Sequence, residues 1–257
     1  MKDQMTFKRY ELKYMLTKEQ YLIIKDELRN HMIEDKHGHS TIQSLYFDTP
    51  DFLLIRRSID KPMYKEKLRL RSYGLADKDT KVFLELKKKY DSVVYKRRIS
   101  TTEDEALNFF KQDSENKIMD TIVDSQIKQE IKYARDLYSS LAPRVLLSYE
   151  RDAYYGIDDS SFRVTFDSNI LWRDTDVNLH SGIYGNSILP EGYVLMELKT
   201  SGGLPLWMTT LLSSNQIYKT SFSKYGTAYK TILARDGKIR EFAYRYNSSA
   251  KGVLRYA

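Results

Sequence analysis

The chain has 257 residues, 41% of them hydrophobic and 30% charged, with 42 Lys and Arg against 35 Asp and Glu for a formal charge of +7. That apolar content excludes a disordered chain, and the basic surplus points to an anionic partner: nucleic acid, phosphate or an acidic membrane surface. With no cysteine, disulfides and cysteine-built zinc sites are excluded.

The stretch "MTFKRYELKYML" alternates, which predicts a strand with Phe7, Arg9, Glu11 and Lys13 on one face. Its start lacks the apolar core of a signal peptide, and no apolar run is long enough to span a bilayer, so the expected location is cytoplasmic. Thr17 with Gln20 has capping-box spacing and opens a helix whose apolar stripe is Tyr21, Ile24 and Leu28. "STIQSLYFDTP" reads as the second strand, stopped by Asp48, Thr49 and Pro50. "MYKEKLRLRSYG", "KVFLELKKKY" and "SVVYKRRIS" follow as strands, the last two joined tightly at Asp91 and Ser92. Thr102 with Glu105 repeats the capping box. A helical segment from about 120 to 141 buries Ile127, Ile131, Ala134, Tyr138 and Leu141. "PRVLLSYERDAYYG" and "SSFRVTFDSNI" form a strand pair, "GYVLMELKT" is the last strand, and "LPLWMTTLLSSN" and "SKYGTAYKTILARD" are short helices. No linker or repeat divides the chain; residues 1–235 read as one unit and 236–257 as a basic tail.

In "EKLRLRSYG", Lys67, Arg69 and Arg71 alternate with Leu68, Leu70 and Ser72. The same two-faced pattern recurs with Arg9, Glu11 and Lys13; Glu85 and Lys87; Lys96 and Arg98; Arg163, Thr165 and Asp167; and Glu197 and Lys199. For any single strand, a solvated face explains the charges. For five or six strands together, a sheet closed with its polar faces inward and helices on its apolar outside explains them better. An interior so charged must hold water and an ionic ligand, because unpaired buried charge is costly. The excess of bases makes that ligand anionic, and the glutamates suit a divalent cation.

The order "RYELKY", "SLYFDT", "LRLRSYG", "FLELKKK", "YKRR", "ERDAY", "FRVTFD", "LMELK" and "SFSKYG" resembles the VTC (vacuolar transporter chaperone) domain of the triphosphate tunnel metalloenzymes, over Thr6 to Leu233. The resemblance implies an α+β fold, a closed antiparallel β-tunnel of about eight strands with helices packed around it. It implies transfer of the ATP γ-phosphate to a growing inorganic polyphosphate chain, assisted by Mn²⁺ or Mg²⁺. By the same resemblance Lys13, Arg69, Arg71, Lys87, Lys96, Arg151 and Arg163 are phosphate-binding, Glu197 binds the metal with Glu11 as helper, and Ser223 and Lys224 belong to the closing motif. Arg69, Arg71, Lys87 and Lys224 are taken as the catalytic set, and Arg9, Arg98 and Lys199 join the substrate wall. Two positions depart from the pattern: Arg9 stands where the wider superfamily often has a glutamate, and Ser221 where some members have a lysine.

Phosphoryl transfer needs charge neutralisation, alignment and exclusion of water more than covalent help. No Ser-His-Asp arrangement or Walker-type glycine loop is present. His31, His37 and His39 in "NHMIEDKHGH" read as a solvated loop rather than a metal site. The alternatives are a tripolyphosphate or nucleoside triphosphate hydrolase of the same fold, and a non-enzymatic polyphosphate or inositol-phosphate binder. Nucleic acid is disfavoured as a partner because the inward glutamates would repel it. A membrane-protein partner that receives the product, and a position at the inner face of a membrane, fit the same picture.

Overall fold

The computed structural model describes residues 10–91, 93–111, 126–138 and 140–237. In chain order the elements are β1 (Tyr10–Leu16), α1 (Lys18–His31), β2 (Met32–Asp48), α2 (Leu53–Ile59), β3 (Tyr64–Tyr73), β4 (Val82–Tyr90), β5 (Val93–Thr101) and α3 (Glu103–Phe110). Then come α4 (Gln126–Leu137), β6 (Ala142–Gly156), β7 (Arg163–Arg173), β8 (Asn186–Ser187), β9 (Val194–Thr200), α5 (Leu206–Ser214), β10 (Lys219–Thr220) and α6 (Lys224–Arg235). All strand pairs are antiparallel. The ladder runs β10-β1-β9-β7-β6-β2-β3-β4-β5, with β8 attached to β7. Eight strands of at least 7 residues carry the sheet, and β8 and β10 add 2 residues each.

The sheet curls into a tunnel. Glu11 of β1 lies 3.8 Å from Lys87 of β4, although β9, β7, β6, β2 and β3 separate those strands in the ladder. The period of two decides what goes where. On the outside, Leu68, Leu70, Leu84 and Leu86 are sealed by Ala106 and Phe109 of α3 and by Ile131 and Ala134 of α4. Across the tunnel, Tyr14, Leu16, Val164, Phe166, Met196 and Leu198 are covered by Ile24 and Leu28 of α1 and by Met208 and Leu212 of α5. Burying each such leucine contributes roughly 1.5–3 kcal/mol, and this shell holds the sheet in its curl.

One helix works from the other side. Tyr225, Ala228, Tyr229 and Ile232 of α6 pack on Tyr46, Val145, Leu147 and Trp172. Val145 and Leu147 share the alternating face of β6 with Tyr149 and Arg151, so α6 and Ile55 of α2 fill part of the concave side.

The capping boxes at Thr17 and Thr102 form as their spacing predicts. The histidine stretch is corrected. It is not a loop: His31 ends α1, where it bonds Glu27 and stacks on Trp207, and His37 and His39 lie in β2, where His39 sits between Glu150 and Asp152 at 2.9 and 2.8 Å. The expected start of the first strand at Phe7, residues 120–125 of the expected helix, Ser92 and residues 238–257 of the tail lie outside the described residues. Among the described residues no helix is long and apolar enough to cross a membrane.

Candidate functional site

β3 and β4 present their odd-numbered residues to the tunnel. Glu85 is 1% exposed and holds two cations: Arg69 Nη2 at 2.8 Å and Lys96 Nζ at 2.6 Å. Burial alone would raise its carboxyl, but Arg69, Arg71 and Lys96 outweigh it and bring it down to about 2. Arg69 Nη1 also donates to the Tyr46 hydroxyl at 3.1 Å. Against its own burial, Tyr46 is lowered to about 8 by Arg69, Lys67 and Arg71. Arg71 donates to Ser44 Oγ at 3.3 Å and to the Tyr149 hydroxyl at 3.2 Å. Arg98 of β5 lies over the Phe83 ring, 4.2 Å from its centroid.

The opposite wall holds a second ionic nest. Asp167 is fully buried and takes a two-pronged grip from Arg151, Nε at 2.6 Å and Nη2 at 2.7 Å. Lys224, the first residue of α6, reaches Asp167 and lies 3.3 Å from Glu197 Oε1. Arg151 Nη2 is 3.5 Å from Glu197 Oε2. Burial opposes the ionised form of both acids, yet Lys224 and Arg151, joined at Glu197 by Lys13, hold both below the usual carboxylate range. Lys224 is itself raised, its burial outweighed by Asp167 and Glu197.

Lys13 links the walls to the mouth. Its Nζ is 3.4 Å from Glu11 Oε1 and 3.4 Å from Glu197 Oε1, and it donates to the Phe222 carbonyl at 3.0 Å. The Glu11 side chain keeps 33% of its surface exposed. Burial there would raise its carboxyl, but Lys87, Lys13 and Lys199 bring it to about 2 against the charge of Glu197. Lys67 donates to Ser223 Oγ at 3.3 Å, and the same oxygen caps α6 by accepting from Gly226 N at 3.1 Å. Lys199 pairs in register with Glu11 on one side and Arg163 on the other.

Two lysines are held below the usual lysine range by burial and neighbouring cations, in Lys199 against the pull of Glu197 and Glu11. Desolvation together with Lys87, Lys13 and Lys65 lowers Lys67 to about 8. Desolvation together with Arg151 and Lys87 lowers Lys199 to about 8. A bound anion would relieve both.

The structure thus gathers Glu11, Lys13, Arg69, Arg71, Lys87, Lys96, Arg151, Glu197, Lys199, Ser223 and Lys224 in one interior, with Arg98 and Arg163 toward its edges. Arg9 lies outside the described residues. Lys67, Glu85 and Asp167 were not singled out as site residues, although each stands in the same alternation. Tyr46 and Tyr149 were missed because an inward tyrosine reads like wall packing.

Among the described residues no three carboxylates or histidines converge as metal ligands. Glu11 and Glu197 are the pair that fits a small divalent ion. Both are hard, ionised oxygen donors, and Lys13 already shows that positive charge belongs between them. Such ions take one or two carboxylates and complete their shell with phosphate oxygens and water. The arrangement as a whole presents an interior rich in Arg and Lys donors, a chemistry suited to an anionic ligand with several oxygens.

Residues 8–233 match the VTC domain family. No curated protein matches the chain. Among solved structures, a candidate adenylate cyclase from Bacillus halodurans is 15% identical, with a TM-score of 0.50 over 84% of this chain and 95% of that one. A candidate adenylyl cyclase from Hippeastrum, described as having a dominant triphosphatase activity, is also 15% identical, with a TM-score of 0.47 over 89% and 95%. At these identities the Bacillus structure shows a shared fold alone.

Proposed function

The chain belongs to the VTC domain family, and from that membership we propose that it is a metal-dependent polyphosphate polymerase fed by ATP. A terminal oxygen of inorganic polyphosphate attacks the γ-phosphorus of ATP, a new P–O–P bond forms, and the bond to the β-phosphate oxygen breaks to release ADP. Arg71, Lys67 and Lys87 on one wall and Lys13, Arg151 and Lys199 on the other hold the phosphates in line and offset charge on the transferred group. Arginine grips two oxygens at once; lysine follows a moving phosphate as a point charge. Mn²⁺ or Mg²⁺ on Glu197 and Glu11 supplies Lewis-acid stabilisation of phosphoryl oxygens when bound. Arg69 and Lys96 are committed to Glu85 and set the wall's shape. Lys224 orients Glu197 and Asp167 from the start of α6.

The observation that supports this reading is the crowding of cations on facing strands, Lys67 opposite Lys87 and Lys199 beside Arg163, with burial and these neighbours lowering Lys67 and Lys199 to about 8. A linear polyanion threading between them satisfies both. With water as acceptor the same wall would make a triphosphatase, so the test is a product balance with ATP and Mn²⁺. Polymerisation yields ADP in excess of free phosphate, the difference appearing as polymer that an exopolyphosphatase degrades. Equal ADP and phosphate without polymer would replace the polymerase by the hydrolase.

A further inference from the structure

We propose that the polyphosphate chain leaves the tunnel along a lysine lane made by the Lys67–Lys87 and Lys65–Lys89 rungs of β3 and β4. The proposal rests on the polymerase reading of the tunnel.

The rungs follow from register. Lys67 stands opposite Lys87, and Lys65 opposite Lys89, on the face that carries Arg69 and Glu85 one rung further in. Successive rungs on one face are about 6.6–6.8 Å apart. Past Glu85 this face of the β3–β4 ladder holds no acid until the strands end. The other face of the same residues is different in kind. There Lys88 pairs with Glu130 at 3.0 Å, and Glu66 accepts from Tyr138 at 2.5 Å and Tyr64 at 2.9 Å. The outward charges are matched, and on the inward face Glu85 holds Arg69 and Glu11 lies 3.8 Å from Lys87, while the Lys65–Lys89 rung has no acid in register.

Lys65 is lowered by desolvation, then by Lys89, Lys61 and Lys87. The four lysines of the two rungs thus stand together, with no carboxylate opposite Lys65 or Lys89 in the β3–β4 register. Lys65 Nζ is anchored on the Ser58 carbonyl at 3.2 Å, which fixes its position. Polyphosphate carries about one charge per unit and no sequence, so lysines spaced along a groove are sufficient recognition.

The test uses Lys65→Gln/Lys89→Gln and equilibrium binding of tripolyphosphate and of a long polyphosphate across a salt series, without ATP. Tripolyphosphate probes the tunnel alone; the long chain probes tunnel and lane. In the wild type the long chain should show the steeper salt dependence. The double variant should lower that slope by about 1–1.5, since each lost phosphate contact on a single strand removes roughly 0.7. Its tripolyphosphate affinity should be unchanged, which also shows that the variant is folded. A long-chain slope and affinity equal to wild type would overturn the lane. A wild type that fails to bind tripolyphosphate would overturn the tunnel reading and the lane with it.

Discussion

Arg71 is bonded to two hydroxyls, and among the described residues no carboxylate pairs with it. Arg69, two positions away, is neutralised by Glu85. The two arginines of one motif are therefore held differently, Arg69 by a carboxylate and Arg71 by hydroxyls. Arg71→Ala should lower kcat/KM by roughly 100-fold, the scale of losing one preorganised donor, with unchanged circular dichroism because no apolar contact is removed. A collapse of folded yield would reassign Arg71 to the scaffold. Glu197→Gln removes the one negative charge among Lys13, Arg151 and Lys224 that touches all three. It should abolish turnover and keep or tighten metal-free binding of tripolyphosphate, as read by calorimetry. Normal metal-dependent turnover would remove Glu197 from the metal site. Most of these side chains were legible because alternation exposes charge on a strand. Tyr46 and Tyr149 were not, since it is the register of β2 with β3 and β6 that brings their hydroxyls to the arginines.

At the scale of elements, the helices announced by a local cap were legible, and the helix capped from a distance was not. Thr17 and Thr102 each accept from the third residue on. α2 has Phe52 at its N-cap in a left-handed conformation, with no side-chain bond of its own. Its free N–H groups are taken by Asp48, which accepts from Leu54 N at 2.8 Å and Ile55 N at 3.0 Å. In the sequence, Asp48-Thr49-Pro50 reads only as the end of a strand. Asp48 also accepts from the Tyr225 hydroxyl at 2.9 Å and so ties α6 to α2. Tyr225→Phe should cost about 0.5–1.5 kcal/mol in denaturant unfolding, or more if Asp48 is left short of a donor. It should not change tripolyphosphate affinity, because that hydroxyl faces Asp48 rather than the anion-binding wall. A large loss of affinity with little loss of stability would place Tyr225 in the site.

For the molecule as a whole, binding and folding pull on the same charges. Lys67 and Lys199 sit at about 8 in the folded tunnel against the 10.5 of an unperturbed lysine. Between those values the unfolded chain binds more protons, so their contribution to unfolding free energy rises with pH. Their penalty is fully present below about 8 and is relieved as pH approaches 10.5. Tripolyphosphate removes the penalty by supplying negative charge, and a ligand that binds only the native state raises its stability. The rise in melting temperature with tripolyphosphate should therefore be larger at pH 7 than at pH 10, and the difference should shrink in Lys67→Met/Lys199→Met. A ligand shift independent of pH would mean that these lysines do not meet the anion. The fold class was legible because the apolar half of each strand demanded a helix shell. The packing of α6 into the concave side was not, because an apolar helix stripe does not say which face of a sheet it will meet.

The alternation of β3 has a hereditary consequence. Leu68 and Leu70 serve the shell and Lys67, Arg69 and Arg71 serve the interior, two messages interleaved on one segment like a text read in frame. A single-codon insertion before Leu68 would exchange them, sending the guanidinium groups into the apolar layer under α3 and α4 and the leucines into the anion path. Substitutions can change either message alone, whereas the spacing of this strand can drift only in pairs. Lineages descending from this chain should therefore vary in loop length far more readily than in the number of residues between Lys65 and Arg71.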